Sequence, residues 1–175
     1  MLRARGNEVV RISIDGFHNP RQIRYARAEA EPAASYYEDS FDYDSFLNLA
    51  IKPIEGEGER LITPRIFDHA SDSPAEREEV RIGDEAIVLV DGIFLGRPQL
   101  AAWWDCWIYL AVDRDVARSR GAARDERLYG AATINRYRTR YEPGQELYHA
   151  EADPVTNADI VIDNTTPDRP AILRG

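Results

Sequence analysis

Two carboxylates recur in the same local setting, Ile14-Asp15-Gly16-Phe17 and Val90-Asp91-Gly92-Ile93, each at the end of an apolar run. An isolated Asp-Gly is a good turn dipeptide, and that reading stays open for each. A tight hairpin, however, needs the preceding strand to pair with the segment that follows at once, and here Asn19-Pro20 and then Pro98 start helices instead. If the two strands are parallel neighbours, both carboxylates leave the same edge of a sheet, which is where open α/β sheets bind ligands. A metal-holding acid beside a general base is what phosphoryl transfer to a hydroxyl requires. The same chemistry needs positive charge at the moving phosphate, because the transition state spreads negative charge over three oxygens. From Arg114 to Arg140 eight arginines stand against three acids, a local excess of +5 in a chain of net charge −9. A solvated helix face is the ordinary reading of such a run; an anion site drawn from Arg118, Arg120, Arg124 and Arg127 is the other.

The elements that must position these groups alternate between strand and helix, which favours an α/β fold with a parallel sheet. Val9 to Ile14 reads as a strand, and Asn19-Pro20 starts a helix that runs to about Ala30. Residues 35–41 read as an aromatic and acidic loop. Tyr43, Phe46, Leu47, Ala50 and Ile51 then fall on one face of a short helix ended by Pro53. Leu61 to Phe67 contains a proline and reads as an edge strand, residues 68–79 as a polar surface excursion, and Val80 to Ile82 as a hairpin partner of the next strand. Ala86 to Phe94 is continuously apolar before Asp91, so it is expected to be buried on both faces. Cys106 to Val112 is a second such strand, with Cys106 a buried structural thiol and Asp113 the cap of the Arg-rich helix. A later helix with Ile134, Tyr137 and Tyr141 on its core face closes at Pro143-Gly144. Asp159 to Asp163 forms a last strand before a polar tail.

With 175 residues, 43% of them hydrophobic and 30% charged, the chain is expected to be a single domain spanning residues 1–175. Its acidity argues against nucleic-acid binding, and it shows neither a membrane span nor a signal-peptide core, so a soluble, cytoplasmic protein is expected. One cysteine excludes an internal disulfide.

Taken in order, Asp15-Gly-Phe-His-Asn-Pro-Arg21, Tyr36-Tyr37, Phe41-Asp42-Tyr43, Val90-Asp91-Gly-Ile-Phe94, Arg124-Asp125, Arg136-Tyr137, Arg140-Tyr141, Pro143-Gly-Gln145, Tyr148 and Ala158 to Asn164 resemble the uridine kinase-like branch of the P-loop kinases. The resemblance is colinear over nearly the whole chain. It implies a P-loop NTPase-type three-layer parallel sheet and transfer of the γ-phosphate of ATP, with Mg²⁺, to a small-molecule hydroxyl such as the 5′-hydroxyl of uridine or cytidine. It implies Asp15 as general base, Asp91 as the metal-side acid, and Arg120 and Arg124, with Arg127, as catalytic and ATP-binding arginines of a lid. Phe17, His18, Arg21, Phe41, Asp42 and Phe67 would then lie at the nucleoside, although for His18 a capping or packing role remains open. The partner is a small-molecule substrate, with homo-oligomerisation left open.

One departure is large. No Gly-x4-Gly-Lys-Ser/Thr occurs, and the only lysine, Lys52, stands in Ile51-Lys52-Pro53. The expectation is therefore a fold without its first, central strand and phosphate loop, from a late start codon or a truncation, with activity impaired. Removing one strand would leave its neighbours roughly 10 Å apart. A non-catalytic protein that keeps the nucleoside pocket for binding or partner contact is the alternative.

Overall fold

A computed structural model describes residues 2–56, 59–129 and 133–175. The strands are β1 (Val9–Ser13), β2 (Leu61–Ile62), β3 (Phe67–Asp68), β4 (Ser73–Pro74), β5 (Val80–Arg81), β6 (Ile87–Asp91), β7 (Ile108–Ala111), β8 (Ile160–Asp163) and β9 (Ala171–Arg174). The helices are α1 (Arg21–Arg24), α2 (Pro32–Asp39), α3 (Tyr43–Phe46), α4 (Lys52–Glu55), α5 (Pro98–Ala101), α6 (Arg114–Tyr129), α7 (Thr133–Arg136), α8 (Glu142–Ala152) and α9 (Pro154–Asn157). These elements fall into two compact units, Met1–Arg27 with Glu38–Leu95, and Ala28–Tyr37 with Gly96–Gly175.

In the first unit β1 and β6 pair in parallel, in a register that runs from Val9 opposite Ile87 to Ser13 opposite Asp91. The fold is α/β with parallel pairing, as the alternation of elements predicts. The parallel strands are divided between two sheets, β1 with β6 and β7 with β8, so β6 and β7 each end a sheet. That corrects the expected burial of both. A strand with a neighbour on one side only keeps part of its surface open, and Leu89 is 45% exposed, Ile108 50% and Leu110 53%. Cys106, just before β7, is likewise exposed and not a buried thiol.

The core of the first unit is built from Ile12, Ile14, Phe17, Phe46, Ile62 and Phe94, with Phe17 and Phe46 in edge contact at 5.2 Å. Its two small hairpins differ from expectation. Val80–Arg81 pairs with Leu61–Ile62 and not with the strand that follows it, and Phe67–Asp68 pairs with Ser73–Pro74. Residues 68–79 therefore contain a built turn. Residues 35–41 also depart, since Pro32 starts the helix α2, with proline at a position where a missing N–H costs nothing.

Two prolines expected to end helices do not. Ahead of Pro53 the backbone widens into a π turn over Leu47–Ile51, and Pro53 sits in the first turn of α4. A proline removes the bond to the carbonyl four residues back. That carbonyl, of Leu49, accepts instead from the Thr63 amide at 2.9 Å. The same arrangement recurs in the second unit, where a π turn over Tyr137–Tyr141 precedes Pro143 in α8. The helix from Pro20 is shorter than expected: α1 ends at Arg24, and its cap position Tyr25 donates to the Arg21 carbonyl.

The second unit packs Tyr37, Leu100, Tyr148, Ala152 and Val161 inside. Gly96 lies so close to Trp107 and Tyr148 that a side chain there would overlap both, and its amide donates to the Tyr148 hydroxyl at 3.1 Å. Asp113 caps α6 as expected, its carboxylate accepting from the amides of Asp115 and Val116. The polar tail holds one further strand, β9, antiparallel to β8 and exposed throughout. Among the described residues no helix is long and apolar enough to cross a membrane.

Candidate functional site

Parallel pairing of β1 with β6 brings the two Asp-Gly turns to one sheet edge. Asp91 closes β6 opposite Ser13, and Asp15 follows two residues after Ser13 in a 3-10 turn over Ile14–Phe17. Ser13 caps that turn by accepting from the Asp15 amide. Asp91 receives the Arg11 Nε at 2.7 Å on Oδ2, with both side chains open to solvent. An exposed pair of this kind adds little to stability. Its relevance is to the charge at the edge.

The chain leaving the turn runs back against residues 40–42. The Asp42 amide donates to the Phe17 carbonyl at 2.8 Å, the Asn19 amide to the Ser40 carbonyl at 3.0 Å, and His18 forms a bridge with Phe41. Phe41 is thereby placed beside His18, ring centroids 4.5 Å apart. Asp42 caps α3, with Oδ1 accepting from the Ser45 amide and Oδ2 from the Ser45 hydroxyl. Both its oxygens thus have a structural use. Phe41 and Phe67 are buried, at 3% and 7% exposure, and Phe17 is completely enclosed and presents no surface to a ligand. Arg21 stacks on Tyr25 at 5.2 Å, and its amide donates to the Asp72 carboxylate at 2.9 Å.

Three residues that the sequence reading passed over complete this cluster: Arg24, His69 and Asp72. Arg24 is 8% exposed. It donates from Nε to the Asn19 carbonyl at 2.7 Å, from Nη2 to Asp72 at 2.8 Å, and toward His69 Nε2 at 2.9 Å. The His69 ring lies 4.3 Å from that of His18. Burial pushes both imidazoles below their ordinary range, helped at His69 by Arg24 and offset at His18 by its bond to the Asp15 backbone. Desolvation opposes ionisation of Asp72, but the Arg24 side chain and the Arg21 amide overcome it and hold the carboxyl below its usual range. The available signal was the run Asp68-His69-Ala70-Ser71-Asp72-Ser73, rich in residues that fold back on their own backbone. Asp68 accepts from the Ala70 amide and the Ser71 hydroxyl, and Asp72 adopts a positive φ of 51°, which Asp tolerates better than most residues.

The arginines lie in the second unit. Arg120, Arg124 and Arg127 follow one another at helical spacing on α6, all exposed. Arg120 donates to the Thr165 carbonyl, in the loop after β8. Arg118 is engaged by Asp115 at 2.6 Å and by Glu142 at 3.6 Å, so it belongs to the ordinary surface pairing of the helix. Among the described residues no group of three or more His, Cys, Asp or Glu is arranged to hold a metal ion.

No protein-family profile matches the chain, and no curated protein matches it either. Solved structures do. A possible uridine kinase from Bacillus stearothermophilus superimposes with a TM-score of 0.70 at 20% identity, over 91% of this chain and 74% of that one. A candidate fructose transport system kinase from Silicibacter sp. TM1040 gives 0.67 at 20% identity, over 91% and 77%. The D-glycerate 3-kinase of Cryptococcus neoformans gives 0.52 at 12% identity, over 83% and 71%. The chain therefore shares the α/β fold of these structures.

Proposed function

We propose that this protein is an ATP-dependent phosphotransferase acting on a small-molecule hydroxyl, and that the acceptor is the 5′-hydroxyl of uridine or cytidine. The observation that carries this reading is the shared edge: Asp91 ends β6 opposite Ser13 and Asp15 follows two residues after Ser13, so both leave the same end of one parallel strand pair, on a fold shared with kinases. Asp15, whose side chain is 68% exposed, is the group that takes the hydroxyl proton. Phe41, Phe67 and His18 form the aromatic surroundings of the acceptor, with Arg21 at its margin. Phe17, enclosed in the core, has no part in binding.

The donor set at Asp91 suits Mg²⁺, which commonly takes one or two carboxylates and fills its remaining positions with phosphate oxygens and water. Asp91 is an accessible hard oxygen donor, and Arg11 engages only its Oδ2. When bound, the cation would neutralise phosphate charge. Arg120, Arg124 and Arg127 supply permanent positive charge of the kind that phosphate oxygens accept.

The test is a transfer assay on the full-length polypeptide with ATP, Mg²⁺ and a panel of uridine, cytidine, fructose and glycerate. Phosphorylation of uridine or cytidine that is lost in Asp15→Asn supports the reading. Transfer to fructose or glycerate alone keeps the reaction and overturns the acceptor. Uridine binding by calorimetry without transfer to any alcohol would move the protein to a non-catalytic nucleoside-binding role.

A further inference from the structure

We propose that His18 and His69 form a proton-operated latch that holds the loop between β3 and β4 against the turn carrying Asp15 and releases it in acid. Hydrogen bonding assigns a tautomer to each ring. His18 Nδ1 lies 2.9 Å from the Asp15 carbonyl, which can only accept, so Nδ1 carries the proton. His69 Nε2 lies 2.9 Å from Arg24 Nη1, which can only donate, so Nε2 is bare and the ring is neutral. A second proton on His69 would set N–H against N–H and break that contact.

Arg24 has little room to yield. Its other nitrogens are fixed on the Asn19 carbonyl and on Asp72, and its side chain is 10% exposed. The charged groups facing the two rings come from three elements. Asp15 stands 3.9 Å from His18 Nδ1 on the turn itself. Arg24 faces them from α1, and Asp68 and Asp72 from the hairpin, with Arg21 beside Asp72 and Arg65 beside Asp68. Phe41 closes the remaining side without charge. Asp72 is already matched by Arg24, and Asp68 by the Ser71 hydroxyl and the Ala70 amide. Protonating both rings therefore places three cations together with Asp15 as the nearest uncommitted carboxylate.

The hairpin is the part that gives way. It has two paired rows, Phe67 with Pro74 and Asp68 with Ser73, and its tip is held to α1 by the Arg21 amide and Arg24 on Asp72. Opening its tip would release the Arg21 amide and separate His69 from His18, while the base stays tied to the Asp15 turn through the Ile66 amide on the Gly16 carbonyl.

Hydrogen exchange of the Arg21 amide, followed between pH 8 and pH 5 on the full chain and corrected for intrinsic rates, reads the opening directly. Linkage gives an opening constant that rises about tenfold per pH unit for each proton taken up, so two histidines give up to about a hundredfold per unit below pH ~6.5. His69→Gln, whose amide oxygen can accept from Arg24 but does not titrate, is expected to lower that dependence by one proton. His18→Asn combined with His69→Gln is expected to abolish it. Exchange that ignores pH in the wild type, or the same dependence in His69→Gln, overturns the latch. Should the variants fail to fold, NMR titration of the wild-type rings decides: coupled titration below the ordinary histidine range supports the latch, and two independent titrations at the ordinary value overturn it.

Discussion

The turns at the ends of β1 and β6 carry the same Asp-Gly dipeptide and lie at the same end of one strand pair. After β6, Gly92 has a φ of 145° and lies so near Ile14 that a Cβ would stand 2.1 Å from its Cγ2; two residues on, Phe94 takes a φ of 62°. After β1, Gly16 has no positive φ, and its constraint is a neighbour: a Cβ would stand 2.7 Å from the Cβ of Arg65, and the Gly16 carbonyl accepts from the Ile66 amide at 2.8 Å. One glycine serves a backbone conformation and a close approach, the other a close approach alone. Neither is the hairpin turn that the dipeptide suggests in isolation. The acids differ in parallel fashion, with Asp91 held by Arg11 and Asp15 set beside the adjacent rings of His18 and His69.

That contrast can be broken at several points. Asp15→Asn should lower transfer to the acceptor about 10²- to 10⁴-fold, the usual range for a positioned general base, with circular dichroism unchanged. An equal loss in Asp91→Asn with no change in Mg²⁺ dependence would erase the distinction between the two acids. Gly92→Ala should cost roughly 3 kcal/mol or more in urea denaturation, because backbone strain adds to overlap with Ile14. Gly16→Ala should cost less, about 1–3 kcal/mol, from overlap alone. If the two glycine variants have equal midpoints, the difference in φ has no energetic meaning.

A smaller effect comes from His18 and His69, whose folded-state pKa values lie below the unfolded value through burial. In such a case the unfolded chain binds more protons, so stability is full above about pH 6.5 and falls as pH drops below it. The urea midpoint should decline between pH 6.5 and 5 in the wild type, and less in His69→Gln. The smallest effect is expected from Arg11→Ala, whose partner Asp91 is also open to water. The urea midpoint should not move.

The parts of the fold that follow a local rule were legible in the sequence. The β-branched run of β1, the apolar face at Phe46, Ala50 and Ile51, and the cap at Asp113 each stand where periodicity or capping chemistry puts them. What was misread depends on partners far away in the chain. Pro53 reads as a stop signal unless one knows that Thr63 takes up the freed Leu49 carbonyl. The exposure of Leu89 and Ile108 depends on how strands are shared between sheets, which composition does not encode. Within the candidate site, Asp15 and Asp91 were visible because they end apolar runs. His69 and Asp72 were not, because a polar hairpin tip looks like any other surface loop until Arg24 reaches it.

The strand β9 bears on how the molecule behaves in the tube. It offers one open backbone edge, with Ile172 74% exposed and Leu173 63% exposed, and Arg174, the one charge in the strand, is folded back onto the carbonyls of Thr156 and Ala158. Bare edges with aliphatic side chains are templates for strands of other molecules. Protein concentration thus becomes an experimental variable for this chain: light scattering recorded alongside any activity or exchange measurement separates loss of signal by association from loss by chemistry.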